Sequence, residues 1–335
     1  MTSSVLAQVS VGDKGEINGN VFADYYWVTQ NHDNTLEDKH GFQFRRIYVT
    51  YNQEIDESFS TRFRITMGSA GLYASSNSKM IPSVKDAYLK WKNGNHQILM
   101  GISSTPTWGH VSEKAWGYRA VEKTVMDLYG LGSSRDFGIS AKGQLDDDGN
   151  VNYHVMIGNG HSNYGNEINK GKKIMASLAF NVTDNLRLQV YGDWNDKSGD
   201  IDWYTFQGFG AYQADDFTLG ALYAVQSRES MIVGGDASQS YSVVSVFSRF
   251  TLQDETKGYL RFDHAFEGIP GTETNKYLPI NSEASSSIIM GGVDFKLGTN
   301  VHLMPNIKTV IYGEDDMGNT PNTDVMPRLT LNYKF

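Results

Sequence analysis

The sequence predicts an all-β protein: a closed antiparallel transmembrane β-barrel of about 16 strands, with short periplasmic turns and long extracellular loops. Three observations predict it. Apolar and polar residues alternate with a period of two along most of the chain, in segments of the roughly 9–11 residues that a tilted membrane strand needs. The connections between these segments alternate between tight and long. Aromatic residues, 12% of the chain, gather near segment ends, as interfacial girdles require.

Bulk properties narrow the alternatives. With 335 residues the chain holds two ordinary domains or one large β architecture. A net charge of -9 argues against nucleic acid as a partner, and the absence of cysteine excludes a disulfide framework or a thiolate metal site. No apolar run is long enough for a membrane helix. Mean hydropathy alone reads as soluble, but strict alternation averages to near neutral and hides from that index.

Residues 1–14 read as an N-terminal tail or short plug. "MTSSVLAQVSVGDKGE" has neither the basic start nor the apolar core of an intact secretory signal. Residues 15–335 read as one barrel. In its first strand Ile17, Gly19, Val21, Ala23, Tyr25 and Trp27 share one face, opposite Asn18, Asn20, Phe22, Asp24 and Tyr26. "FRRIYVTY" sets Ile47, Val49 and Tyr51 against Arg46, Tyr48 and Thr50. "FSTRFRITM" sets Phe59, Phe63, Ile65 and Met67 against Arg62, Arg64 and Thr66, and "AYLKWK" sets Leu89 and Trp91 against Tyr88, Lys90 and Lys92. The same series returns at Ile174–Val182, Leu186–Trp194 and Phe217–Val225. The last strand, "VMPRLTLNYKF", carries an oily face ending in Tyr333 and Phe335 and a wet face ending in Lys334.

Tight connections at "NGNH", "VTDN", "QADD", "QDETK" and "LGTN" hold the Gly, Asn and Asp that hairpin turns use. The long ones are Asn31–His40, Ser69–Ile81, Trp108–Ser134, Gly160–Lys172, Ser227–Ser240, Gly268–Ser282 and Glu314–Thr323. A soluble sandwich, propeller or solenoid has no reason to alternate them, and no repeat period is visible. An even strand count leaves both termini on the periplasmic side.

Function then rests on the lumen. The inward sets hold Arg46, Arg62, Arg64, Lys90, Lys92, Lys142, Arg187, Arg249, Arg261, Lys308, Arg328 and Lys334 against fewer acids: Asp24, Asp86, Asp136, Asp193, Asp263 and Asp294. We therefore expect a basic wall with Arg46, Arg62, Arg64, Lys90, Arg249 and Arg261 lining a pore. The plainer alternative has these cations paired with carboxylates and supporting the wall. The longest loop, residues 108–134, is the third outer one and is rich in Trp108, Trp116, Tyr118, Val121, Val125, Leu128 and Leu131. Such residues fit a loop folded into the lumen, where Lys114, Arg119, Glu122, Lys123 and Asp127 would form the constriction.

"FRRIYVTY", "STRFRI", "VKDAYLKWK", "GISSTPTWG" and "AWGYRAVEKTVMDLYGLGSSRDFG" resemble the phosphate-selective porin O and P group over residues 16–143. The resemblance implies a sixteen-stranded, often trimeric outer-membrane barrel with an inserted third loop and a basic path for small anions or polar solutes, in contact with lipid and lipopolysaccharide. In the third loop Lys114, Arg119 and Lys123 are offset by Glu113, Glu122 and Asp127, a departure from the basic loop that strict phosphate selectivity needs. Phe335, with Tyr333 two residues before it, resembles the closing signal that the barrel assembly machinery reads in bacterial outer-membrane proteins. An enzyme reading finds no Gly-x-Ser-x-Gly elbow and no His-Glu-x-x-His pair, so no cofactor or metal is expected. A barrel sheathing a partner protein is the remaining alternative; long lumen side chains and an inserted loop would fill its space.

Overall fold

The computed structural model of the protein describes residues 9–109, 111–163, 167, 169–197, 201–232 and 235–335. A short strand, β1 (Val9–Val11), precedes sixteen barrel strands. These are β2 (Gly15–Trp27), β3 (His40–Glu54), β4 (Phe59–Met67), β5 (Ser83–Asn93), β6 (His96–Ser104), β7 (Arg135–Gln144), β8 (Val151–Gly158) and β9 (Lys173–Asn181). They continue as β10 (Leu186–Lys197), β11 (Ile201–Gln213), β12 (Phe217–Ile232), β13 (Gly235–Gln253), β14 (Thr256–Ala265), β15 (Ala284–Gly298), β16 (Val301–Asp315) and β17 (Asp324–Lys334). The residues outside the described set fall in the tail, in the connections after β6, β8 and β10, and at the tip of the β12–β13 hairpin.

Each barrel strand pairs antiparallel with the next, and β17 pairs back onto β2, with Arg328 opposite Tyr26 and Lys334 opposite Asn20. The sheet is therefore closed. Closure is what allows a β-structure to cross lipid, because a bare edge would leave backbone N–H and C=O groups with no partner. At the seam the chain's last residue is locked to the first barrel strand. Gly19 N donates to Phe335 O at 2.6 Å and Phe335 N donates to Gly19 O at 3.1 Å. A Cβ on Gly19 would lie 2.2 Å from the Phe335 ring, so the ring seats there because the residue is glycine. β1 pairs with Gly15–Ile17, the stretch of β2 beyond the reach of β17.

The period of two sorts the side chains as a membrane barrel requires. Leu89, Ile139, Phe206, Leu260, Ile307 and Leu329 are exposed on the outside, while their neighbours Gln207, Arg261, Asn306, Arg328 and Thr330 are buried within. Trp27, Trp91, Trp194, Tyr204 and Tyr212 stand exposed near strand ends, where indole and phenol meet the interface.

Two departures from plain alternation matter. The expected loop Ser227–Ser240 is instead the continuation of β12 and β13, with Ser227 paired to Ser240, Glu229 to Ser238 and Ile232 to Gly235. Polar residues there suggested a loop, but beyond the bilayer a ladder tolerates polar side chains on both faces. Second, the β2–β3 pairing skips Arg45, and the β4–β5 pairing skips Lys85. Each is a bulge, in which one extra residue is accommodated and the strand's facing is reset. Arg45 and Lys85 thereby join Arg46 and Asp86 on the lumen side instead of facing lipid.

Candidate functional site

Residues 105–134 leave β6, pass through the barrel and return to β7. They contain two short helices, α1 (Ser112–Trp116) and α2 (Val125–Leu128). Trp108, Trp116, Val121, Val125, Met126, Leu128, Tyr129 and Leu131 are all at most 2% exposed. They are covered by the inner faces of β11, β12 and β13, against which the helices pack. Trp116 meets Phe247 and Tyr259 edge-on at 5.4 and 6.0 Å, an arrangement that suits the ring quadrupoles.

A backbone threaded through the lumen has carbonyls that no strand can satisfy. Here side chains satisfy four in a row. Arg45 donates to Ala120 O, Lys308 Nζ to Val121 O at 2.7 Å, Trp116 Nε1 to Glu122 O at 3.1 Å and Arg261 Nη1 to Lys123 O at 2.5 Å. Farther along, Gln207 donates to Thr107 O, Gln226 to Leu131 O and Asn275 to Leu128 O. The cations are balanced in place: Arg45 by Asp24, Arg261 by Asp263 at 2.6 Å, and Lys308 by Glu122 at 2.5 Å. Burial pushes the Glu122 carboxyl up, but the attraction of Lys308, Arg45 and Arg328 outweighs it and holds the group well below the usual carboxylate range.

A second segment also folds inward. Between β14 and β15, Ile269, Thr272, Leu278 and Ile280 are buried, and a 3-10 turn spans Thr272–Thr274. Arg328 donates to Tyr277 O, Tyr277 Oη donates to Ser69 O at 2.6 Å, and Leu72 N donates to Lys276 O at 2.8 Å. This segment ties the outer mouth together. The sequence placed Gly268–Ser282 among the long outer loops; the signal for its inward packing was the apolar trio Ile269, Leu278 and Ile280.

The first insertion packs mainly on β11–β16, the second reaches from β17 across the mouth to Ser69 and Leu72, and open space remains along β2–β7. An outer cavity of about 910 Å³ is lined by Arg45, Arg46, Lys79, Lys85, Arg119, Lys123 and Lys276, with Glu122 and Asp127 the carboxylates, and by Ser133, Ser134, Asn163 and Tyr277 among others. An inner cavity of about 240 Å³ is lined by Phe22, Tyr48, Arg64, Lys85, Glu113, Arg119, Asp127, Ser134 and Arg135 with Asn18, Asn20 and Thr50. Lys85, Arg119, Asp127 and Ser134 border both, and so mark where one cavity meets the other.

Arg119 stands at this junction between Glu113 at 3.1 Å and Asp127 at 3.3 Å, and Lys123 reaches Asp127 at 3.5 Å. Burial alone would raise the Asp127 carboxyl; Lys123 and Arg119 reverse that and hold it below its ordinary value. Arg46 and Arg64 line the outer and inner cavities respectively. Arg62 donates to Asn52, and neither it nor Lys90 nor Lys114 lines either of the two cavities. Arg249 donates to Thr218 and approaches Gly117 of the inserted loop. Arg261 is 2% exposed and borders neither cavity: it is a strut for the loop. Glu122 borders the outer cavity only, and its charge is spent on Lys308. Lys85 and Arg135, absent from the sequence-derived set, sit where the cavities need charge. Arg135 is held by Asp86, and Lys85 donates to Ser134 at 2.9 Å.

No protein-family model matches the sequence, and no curated protein matches it. Solved structures do resemble it. The outer membrane channel DcaP of Acinetobacter baumannii is 12% identical, with 98% of this chain and 100% of that one covered at a TM-score of 0.70. An anion-selective porin from Comamonas acidovorans is 10% identical, with 96% and 99% covered at a TM-score of 0.68. OmpT of Vibrio cholerae, an outer membrane protein folded in vitro and solved in a trimer form, is 12% identical, with 96% and 100% covered at a TM-score of 0.60. At these identities the likeness establishes the fold, that of bacterial outer-membrane porin barrels. The exposed apolar belt gives the barrel an outer face suited to lipid.

Proposed function

We propose that the protein is a porin: a water-filled outer-membrane channel for passive diffusion of small hydrophilic solutes and ions, with a preference for small anions. The observation that carries this reading is the outer cavity, where seven Lys or Arg side chains face two carboxylates and lead to a junction shared with the inner cavity. Between low-dielectric walls such an excess focuses a positive potential and raises the local anion concentration. The acidic net charge of the chain does not oppose this, because permeating ions feel the lining. Lys114, Arg119, Glu122, Lys123 and Asp127 belong to the constricting loop on this reading, with Arg119 and Asp127 at the narrow point.

The likeness to an anion-selective porin and to a channel supports the reading, as does the resemblance of residues 16–143 to the O and P group. Strict phosphate selectivity is not part of it, since Arg119 and Lys123 each sit beside Asp127. A homotrimer in lipid and lipopolysaccharide is proposed from the trimer form of a structural neighbour. The reading is of a channel and not an enzyme or a protein-conducting sheath; the inserted segments occupy the space a threaded partner would need. Reconstitution into planar bilayers tests it. Stepwise conductance with a reversal potential on the chloride side in a potassium chloride gradient is expected. A cation-side potential overturns the anion preference, and absence of conductance overturns the channel.

A further inference from the structure

Most arginines around the junction are held by carboxylates. Arg45 pairs with Asp24, Arg135 and Arg64 share Asp86, and Arg119 lies between Glu113 and Asp127. Arg46 differs. Among the described residues no carboxylate lies within ion-pair distance of it, and its guanidinium carbon is 5.3 Å from the centre of the Tyr48 ring. That of Arg64 is 5.1 Å from the same ring. Phe22 meets Tyr48 edge-on at 6.3 Å and 85°, which fixes the ring's orientation. The three residues also span the narrow point: Arg46 lines the outer cavity, Tyr48 and Arg64 the inner one.

A carboxylate and an aromatic face hold a guanidinium in different ways. The carboxylate cancels its charge. The ring attracts it through a quadrupole and leaves the net charge whole. Stacking also uses the plane of the guanidinium, so the N–H donors on its edge stay available to a passing anion.

We propose that Tyr48 is a specificity-determining positioning residue: it holds Arg46 at the junction without neutralising it, and so contributes to the anion preference of the passage. This inference rests on the channel reading above. It adds to the charges of the inserted loop an aromatic of the wall that acts through an arginine.

The test is the reversal potential in a potassium chloride gradient at low salt, measured on Y48F, Y48L, R46Q and the R46Q/Y48L pair. Unheated gel mobility of each variant checks that the barrel is intact. Y48F keeps the ring and should keep the wild-type anion-to-cation permeability ratio. Y48L should lower that ratio by about two-fold, since a stack at a partly desolvated site is worth enough to change how Arg46 is held. R46Q should lower it as well, and Y48L should lower it less on the R46Q background than on wild type. A Y48F channel as impaired as Y48L overturns the proposal, because the hydroxyl and not the ring would matter. A Y48L channel like wild type, or an undiminished effect on the R46Q background, also overturns it. Those results leave an anion-selective channel standing, whereas a wild-type protein without conductance removes both readings.

Discussion

The two sides of the lumen use the same residue types for opposite ends. On the β10–β17 side Arg261, Lys308 and Arg328 point inward and are at most 4% exposed. They spend their donors on backbone carbonyls of the inserted segments and their charge on Asp263, Glu122 and Asp24. On the β2–β7 side Arg46, Arg64, Lys85 and Arg135 also point inward, but they border open cavities. A lumen cation is therefore not by itself a pore residue. What decides is whether a loop is packed on it.

The two sides meet at the β17–β2 seam, and breaking that seam should have the largest effect. Phe335→Asp removes the ring from Gly19 and puts a charge among lipid-facing groups, where Lys334→Gln leaves an exposed position nearly unchanged. The first variant should give several-fold less folded barrel in membranes than the second. Equal yields would separate the seam from assembly.

The next largest effect is expected from unlocking the packed side. Lys308→Met leaves Glu122 buried without its partner, which costs about 3–5 kcal/mol when one member of a buried pair is removed. The barrel should persist, with noisier single-channel current and the loop newly open to protease. Adding Glu122→Leu should restore quiet conductance, because a buried pair replaced by apolar groups is often neutral.

Charge reversal on the open side should act without unfolding anything. Arg119 and Lys123 changed together to Glu place new carboxylates beside Glu113 and Asp127. The reversal potential should move toward cations in dilute salt. It should move less at high salt, as the Debye length falls from roughly 10 Å at 0.1 M to about 3 Å at 1 M. An unchanged preference at low salt would leave selectivity to the wall alone.

The smallest effect is expected from pH. The Glu122 and Asp127 carboxyls are held below their ordinary values in the folded chain. Their contribution to loop anchoring is thus complete above the ordinary carboxylate range and is lost only as pH falls through the depressed values. On the acid side, loop release should begin only below the ordinary 4.5 of a glutamate, with conductance unchanged down to about pH 5. A transition near neutrality would mean that another group governs the anchor.

Much of this architecture was legible in the residues. Strand faces are local: a period of two in "VMPRLTLNYKF" separates Leu329 and Leu331 from Arg328 and Thr330 whatever the rest of the chain does. The inner facing of Arg46, Arg62 and Arg64 follows from the same rule. Arg45 and Lys85 did not follow it, because a bulge is a property of pairing between two strands and leaves no mark on the period of one. The hairpin at Ser227–Ser240 was read as a loop for a related reason, since outside the bilayer polarity no longer distinguishes strand from loop.

By itself the sequence determined a closed barrel with a wet, cation-rich interior, since alternation and connection length are encoded residue by residue. Only the tertiary structure decided which cations meet solvent. That choice depends on where residues 105–134 and 266–283 pack across the lumen, which brings Arg45 to Ala120, Lys308 to Glu122 and Arg328 to Tyr277 over large sequence separations, and leaves Arg46 on the ring of Tyr48. Desolvation and pairing are properties of that packing, so the same guanidinium becomes a strut on one wall and a charge for permeant ions on the other.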